Sequence, residues 1–318
     1  MVPSLRDHGT AGRRADGGAA PWVRAPGDDR GVPLVDPVLA WYAGAARDLP
    51  WRAADRTPWG VLVSEVMLQQ TPVARVLPVW REWLERWPTP AALAAAGVAD
   101  VLRAWGTLGY PRRALRLHAC ARAVVERHGG ELPTDRDALR ALPGVGDYTA
   151  AAVLAFAFGR RAAVLDTNVR RVLARAVAGE ALPPAHPTVA ERRRAESVLP
   201  DDDARAAAWS SAVMELGALV CTARAPRCGA CPIAAACAWR RAGAPPPAAA
   251  RRSQPWAGTD RQARGRIMAA LRAADGPVAD AALAAAWPHD ADQRRRALAG
   301  LVADGLVARV PGGHALPE

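Results

Sequence analysis

The sequence predicts an all-α core followed by a small α+β module, on three observations. Apolar residues recur at helical spacing in successive segments between residues 36 and 217, with no convincing alternating strand among them. At the centre of that region Pro143-Gly144-Val145-Gly146 separates one helix from the next, because proline lacks an N–H and glycine favours left-handed turns. A proline run, AGAPPPAAAR at 242–251, then breaks every pattern, and three short helical segments and a candidate hairpin follow it.

The core elements read in order. Val38, Leu39, Trp41, Tyr42 and Ala45 give 36–47 one apolar face, and Pro50 ends that helix. WGVLVSEVMLQ (59–69) reads as a mostly buried helix with a single carboxylate, Glu65. Segments 73–87 and 98–105 continue the pattern, and 112–126 is amphipathic, with Leu115, Leu117, Ala121 and Val125 expected inward and arginines outward. After the glycine turn Asp147 is expected as the N-cap of an Ala-rich helix, 148–158. Helices at 168–176, 187–198 and 202–217 lead to a cysteine cluster. Beyond the prolines, 264–273, 280–286 and 291–304 read as helices, and 306–310 with 314–316 as a hairpin around Pro311-Gly312-Gly313. Three helices and a hairpin resemble a winged-helix module.

A chain of 318 residues has length for a real core, and 51% hydrophobic with 23% charged residues is a globular balance. The net charge of +11 suits a polyanionic partner, although a solvated basic surface or compositional bias would also produce it. The chain contains no lysine, so its non-histidine basic side chains are all arginine. No apolar run approaches the length of a membrane span, and the N-terminus has no secretory signature. The expectation is a monomer in the cytoplasm, associated with the nucleoid. Its parts are a disordered arm (1–33), a bilobal core (34–240), a linker (241–262) and the terminal module (263–318). Within the core, one lobe of six helices covers about 58–163 and the other 34–57 plus 164–240.

Four features carry chemistry. A glycine turn at a helix N-terminus directs backbone N–H groups outward, a ready phosphate site, here Gly144, Val145 and Gly146. Asp166 follows the apolar run 162–165, where a buried segment surfaces. Cys221, Cys228, Cys231 and Cys237 form C-x6-C-x2-C-x5-C, compact enough to surround zinc or a [4Fe–4S] cluster. Cys120 lies apart, as a core residue would. Finally, a carboxyl among Val61, Leu62, Val63, Val66, Met67 and Leu68 would be desolvated and protonated near neutral pH, as a general acid must be.

LPGVGDYTA followed by LDTNVRRV resembles the helix-hairpin-helix DNA glycosylase superfamily, whose second motif ends in an essential Asp. SEVMLQQT resembles the segment of MutY-type adenine glycosylases that bears their adenine-protonating Glu, and the cysteine spacing after MELGALVC is similar to the cluster loop of endonuclease III and these relatives. The resemblance spans roughly 36–240. It implies a [4Fe–4S] cluster, double-stranded DNA carrying a mismatch as partner, and release of adenine paired with 8-oxoguanine or guanine after flipping. By the same resemblance Glu65 protonates the base, Asp166 stabilises the sugar cation, and Tyr148 and Asn168 support it. Arg47, Trp51, Leu68 and Glu215 fall on the adenine pocket, Gln70 on the strand-inserting Gln and Tyr110 on the wedging Tyr. Arg224 and Arg227 could face DNA from the cluster loop.

Endonuclease III-type lyases place lysine where Tyr148 stands and form a Schiff base; without lysine, a lysine-based lyase is excluded and hydrolysis is expected. Two departures stand out. Pro111 replaces a second Tyr of many relatives, and the segment after the linker is too short for their 8-oxoguanine-reading domain; Arg294, Arg295 and Arg296 there could contact DNA or be a solvated face. Two rival readings remain at this point: a thymine/uracil mismatch glycosylase of similar fold, and a non-catalytic DNA-binding regulator with a structural or redox cluster.

Overall fold

The computed structural model describes residues 34–247 and 256–318; the expected N-terminal arm and much of the linker lie outside them. The chain builds α1 (Val35–Ala45), α2 (Pro58–Leu68), α3 (Val73–Arg86), α4 (Pro90–Ala94), α5 (Val98–Trp105), α6 (Arg112–His128), α7 (Arg136–Arg140) and α8 (Asp147–Phe156). Next come α9 (Thr167–Leu173), continued by one wider π-type turn to Ala178, then α10 (Val189–Ser197), α11 (Asp203–Leu219) and α12 (Ala238–Arg241). The terminal module holds α13 (Asp260–Ala273), α14 (Asp280–Ala286), α15 (Ala291–Ala303) and the hairpin β1 (Ala308–Val310) and β2 (Gly313–Ala315).

The architecture is mostly helical, as the periodicity implies. The strands pair antiparallel, and Val278 bridges His314 as the start of a third, which gives the module its winged-helix character. Its helix α13 begins inside the segment expected to be linker, because the Thr259 side chain caps it by accepting from Gln262 N.

Two apolar cores organise the molecule. One joins α2–α8 around stacked indoles, Trp83 lying edge-on to Trp105 at 5.7 Å and to Trp87 at 4.7 Å. Ile267, Leu271, Leu283 and Leu301 of the terminal module belong to this same core. The second gathers Val38, Leu39, Val172, Trp209, Val213 and Leu216 from α1, α9 and α11. Between them a small alanine-lined contact (Ala151, Ala152, Ala155, with Val164) lets α8 lie close against the second half. Every residue of α2 from Trp59 to Met67 is buried, and Thr57 caps it by accepting from Gly60 N at 3.0 Å.

Two details differ from the periodicity reading. Asp147 is not the cap of α8; Gly146 occupies that position, while Asp147 sits in the first turn and pairs with Arg140 (2.7 Å) and Arg192 (2.9 Å). On α6, Val125 is exposed and Leu115 only half-buried, whereas Arg113 is buried. The Arg113 guanidinium donates to the carbonyls of Val66, Met67 and Gln69 (2.6–2.9 Å), to the Thr71 hydroxyl (3.0 Å), and to the carbonyls of Leu108 and Gly109 (3.3 and 2.9 Å). It satisfies the carbonyls that end α2, which no backbone N–H can reach. Desolvation lowers its pKa to about 10, and it remains a cation at neutral pH.

Arg113→Met keeps the bulk but leaves those acceptors buried without a donor. It is expected to lower the unfolding free energy by about 3 kcal/mol or more, measured by urea denaturation. A loss below about 1 kcal/mol would contradict this role.

Candidate active site

An open cleft of about 1050 Å³ is lined by residues of both cores, Glu65, Leu68, Gln70, Tyr148, Asp166 and Asn168 among them. That is at the upper end of small-ligand pockets, roughly 300–1,000 Å³.

Glu65 is 5% exposed, and its Oε2 accepts from the Tyr148 hydroxyl at 2.6 Å. Burial is the largest influence on it and raises its pKa to about 7; the charge of Asp166 adds to the rise, while the Tyr148 bond and the charge of Arg52 oppose it. Tyr148 is itself pushed well above the phenol value by burial and these carboxylates, so it stays a donor. Below about 7 Glu65 carries its proton; above, the fold holds a buried carboxylate, costing it about 3 kcal/mol relative to a carboxyl of ordinary pKa.

Asp166 caps α9, its two oxygens accepting from Val169 N (2.6 Å) and Asn168 Nδ2 (2.7 Å). Burial raises its pKa; these donors and the Arg171 charge counter that. Asn168 is fixed in turn, its Oδ1 accepting from Arg171 Nη2 at 2.7 Å. Arg171 also donates to the carbonyls of Gly217 and Cys221, both at 2.7 Å. Here α11 crosses α9 so closely that a Cβ on Gly217 would lie 2.7 Å from Asn168 Cβ and 2.9 Å from its carbonyl oxygen. Gly217 carries no sequence signal, because the atoms that require it come from another helix.

Behind the cleft lining Glu215 is fully buried and accepts from two cleft residues, Arg47 (N at 3.1, Nε at 2.6, Nη2 at 2.8 Å) and Arg52 (Nη2 at 3.0 Å). Although burial opposes it, these partners hold its pKa down to about 2. Arg52, given no role by the sequence reading, lines the cleft, and its Nη1 is buried without a partner. Trp51 is buried edge-on to Trp80 (5.5 Å) while also reaching the cleft wall.

The rim carries strain. Gln70 (φ 56°) and Tyr110 (φ 48°) both adopt the left-handed region that non-glycine residues avoid, and such outliers cluster at functional sites. Gln70 borders the cleft; Tyr110 stands outside it, 41% exposed. In the glycine turn Val145 is buried with its N–H donating to Leu142 O, so of the three expected phosphate-facing groups Gly144 and Gly146 are the exposed ones. Gly144 adopts φ 79°, and a Cβ there would meet Arg116 Cβ at 2.8 Å.

The four clustered cysteines are free thiols, half-buried, and burial raises the Cys231 thiol, with smaller additions from the charges of Cys221, Cys237 and Cys228. Among the described residues no three such side chains gather tightly enough to hold a single metal ion, yet the four sulfurs lie within reach of one another's charge. Arg175 anchors the loop, donating to Cys221 Sγ (3.4 Å) and to the carbonyls of Thr222 (2.8 Å) and Ala223 (3.1 Å). A thiolate with a cationic donor suits a multi-iron cluster, where hydrogen bonds to sulfur set the potential. Cys120 is buried in the first core, as expected. Arg224 is exposed, while Arg227 turns back to donate to Leu219 O. On α15, Arg294, Arg295 and Arg296 are each engaged, with Trp287 O, Asp292 and Asp260. Among the described residues no helix is long and apolar enough to cross a membrane.

Comparison with known proteins agrees with this geometry. Residues 63–197 match the family of HhH-GPD superfamily base excision DNA repair proteins, and residues 221–237 match the iron–sulfur binding domain of endonuclease III. The chain is 55% identical to an adenine DNA glycosylase of Mycobacterium tuberculosis, over 88% of this chain and 92% of that one. It is 39% identical to a thymine/uracil-DNA glycosylase of Pyrobaculum aerophilum, over 63% of this chain and 87% of that one. A solved thermostable thymine-DNA glycosylase superposes with a TM-score of 0.59 at 29% identity, covering 65% of this chain and 95% of that one. The chain belongs to the adenine DNA glycosylase family, within the helix-hairpin-helix superfamily of base excision repair enzymes, and it carries that superfamily's iron–sulfur domain.

Proposed function

We propose that the enzyme hydrolyses the N-glycosidic bond of adenine mispaired with 8-oxoguanine or guanine, and that Glu65 and Asp166 carry the reaction. The observation behind this is the pairing of a buried, near-neutral carboxyl with a hydrogen-bonded carboxylate on one cleft. A base must leave the duplex stack to enter it. The Glu65 proton passes to N7 of the extruded adenine, and the C1′–N9 bond breaks with its electron pair going to the base. Asp166 faces the resulting oxocarbenium-like sugar, as the second carboxylate does in glycosidases, with Asn168 and the Val169 N–H fixing its orientation. A water then adds at C1′ and returns a proton to Glu65.

Arg47 and Arg52, held in place by Glu215 behind them, form the polar wall against the base, Trp51 and Leu68 the apolar one. Gly144 and Gly146 grip the backbone, and Gln70 and Tyr110 fill the space the adenine leaves. Cys221, Cys228, Cys231 and Cys237 hold the [4Fe–4S] cluster, which braces the loop and takes no part in base release. Tyr148 and the absence of lysine support a hydrolase without imine chemistry. In this reading the lobes run 58–163 and 34–57 plus 164–240, and the module from 263 docks on the first. The setting is cytoplasmic, on nucleoid DNA, as a monomer. The Pyrobaculum relative favours one second reading, thymine or uracil removal; pyrimidines have no N7 for Glu65 to protonate.

Duplexes carrying A:8-oxoguanine, A:G, T:G and U:G, treated with alkali after incubation, separate the readings. The two adenine duplexes are expected to be cut, and preferred cleavage of T:G or U:G would overturn the assignment. Glu65→Gln and Asp166→Asn should each lose roughly 10²–10⁴-fold in single-turnover release while still binding the mismatch; full activity in either would refute the roles. Gly217→Ala, which drives a methyl into Asn168, should slow release by about tenfold or more. A rate within twofold of wild type would show that Asn168 need not be fixed.

A further inference from the structure

Five side chains form an alternating ladder from the core to the surface. The Arg113 guanidinium lies 5.1 Å from the ring centre of fully buried Trp105 and 5.6 Å from that of Tyr110. The next rung, Arg261 from α13, lies 4.8 Å from the Tyr110 ring and 5.3 Å from that of Trp256, which is 54% exposed. Arg261 also donates to the Tyr110 hydroxyl at 2.6 Å. Guanidinium groups therefore reach Tyr110 from both the core and the terminal module. Tyr110 follows Gly106 (φ 53°) and Gly109 (φ 81°) on a turn, and as a non-glycine residue at φ 48° it needs outside support to persist.

The support from the module side is itself rigid. The N-terminus of α13 is tied down by Gln293, which donates to Gly258 O and to Asp260, both at 2.9 Å. On either side of the Tyr110 turn the module is pinned to the first core, by Arg103 donating to Ala274 O (3.3 Å) and by the Arg112–Asp304 pair (3.3 Å). Arg113 extends the linkage to the other strained residue, because the same guanidinium holds the carbonyls of Gln69 and Gly109 on either flank of the rim.

We infer that Arg261 is a positioning residue for duplex recognition: through Tyr110 it lets the terminal module set the orientation of the strand-probing turn. The module thus acts on mismatch recognition through one tyrosine rather than by laying a basic helix on DNA, consistent with the engaged state of Arg294, Arg295 and Arg296. The inference rests on the proposed role of Tyr110 in filling the vacated stack and does not require the assignment of Glu65 or Asp166.

A double-mutant cycle in the full chain tests it, read by anisotropy on an A:8-oxoguanine duplex and on a matched one. Arg261→Ala is expected to weaken mismatch binding about tenfold, the scale of a lost cation–π contact plus a charged hydrogen bond. Tyr110→Ala should weaken it at least as much, and the double variant no further. Arg261→Lys, which keeps a cation and donor over the ring, should recover much of the loss. Affinity within twofold of wild type in Arg261→Ala, or losses that multiply in the double variant, would overturn the inference. So would a salt slope reduced by about one in Arg261→Ala, since Arg261 would then be touching a phosphate itself. Base release by the wild-type chain, followed in parallel, reports on the proposed reaction separately. If it is absent while the cycle still closes on Tyr110, the reaction falls and the brace stands.

Discussion

One constraint governs the site: a carboxyl removed from water, with a tyrosine hydroxyl as its hydrogen-bond donor. Glu65 lies midway along a helix buried for most of its length, and that burial moves its proton affinity toward neutrality. The helix bearing it must then be complete at its C-terminus without solvent, and buried Arg113 serves that end. The same cation secures the turns that carry Gln70 and Tyr110. Acid and rim thus share one support, which links the stability of the fold to the geometry of recognition.

Asp166 is handled differently: burial raises its pKa too, but a set of donors opposes the rise. Where Glu65 is left with few partners and rises, Asp166 and Glu215 are supplied with donors, and Glu215 is held to about 2 by two arginines. Neighbouring acids are thereby set to different proton affinities, Glu65 at about 7 and Glu215 at about 2, the pattern by which acid and base roles are separated. Asn168, a donor to Asp166, depends on the close crossing at Gly217 and on Arg171, which also donates to Cys221 O. The cysteine loop consequently forms part of the mechanical support of the cleft.

What the sequence made legible was local. A lone carboxylate within an apolar helix, a glycine turn between helices, four cysteines in one short run and a proline break are each visible without knowing what packs where. Residues 98–105 read as helix and fold as one for this reason: the apolar stripe and the glycines that flank it are contained in the segment. What stayed hidden depends on partners distant in sequence. Arg113 looks like a surface arginine until the carbonyls of α2 converge on it, and Arg52 looks like loop until Glu215 arrives from α11. Asp147 has the composition of a cap, but two arginines from other helices claim its side chain. The helices α4 and α7 span five residues each, too few for a periodicity to show.

The central claim is that the buried acid on α2 still carries its proton in a large share of molecules at neutral pH. Difference infrared spectroscopy between wild type and Glu65→Gln, followed across a pH series, observes that proton directly. The account requires a protonated-carboxyl stretch present in acid and lost with a midpoint near 7. A midpoint near the ordinary value of 4.5 would mean that Glu65 is a carboxylate whenever it meets DNA, and the proposed acid would have no proton to give.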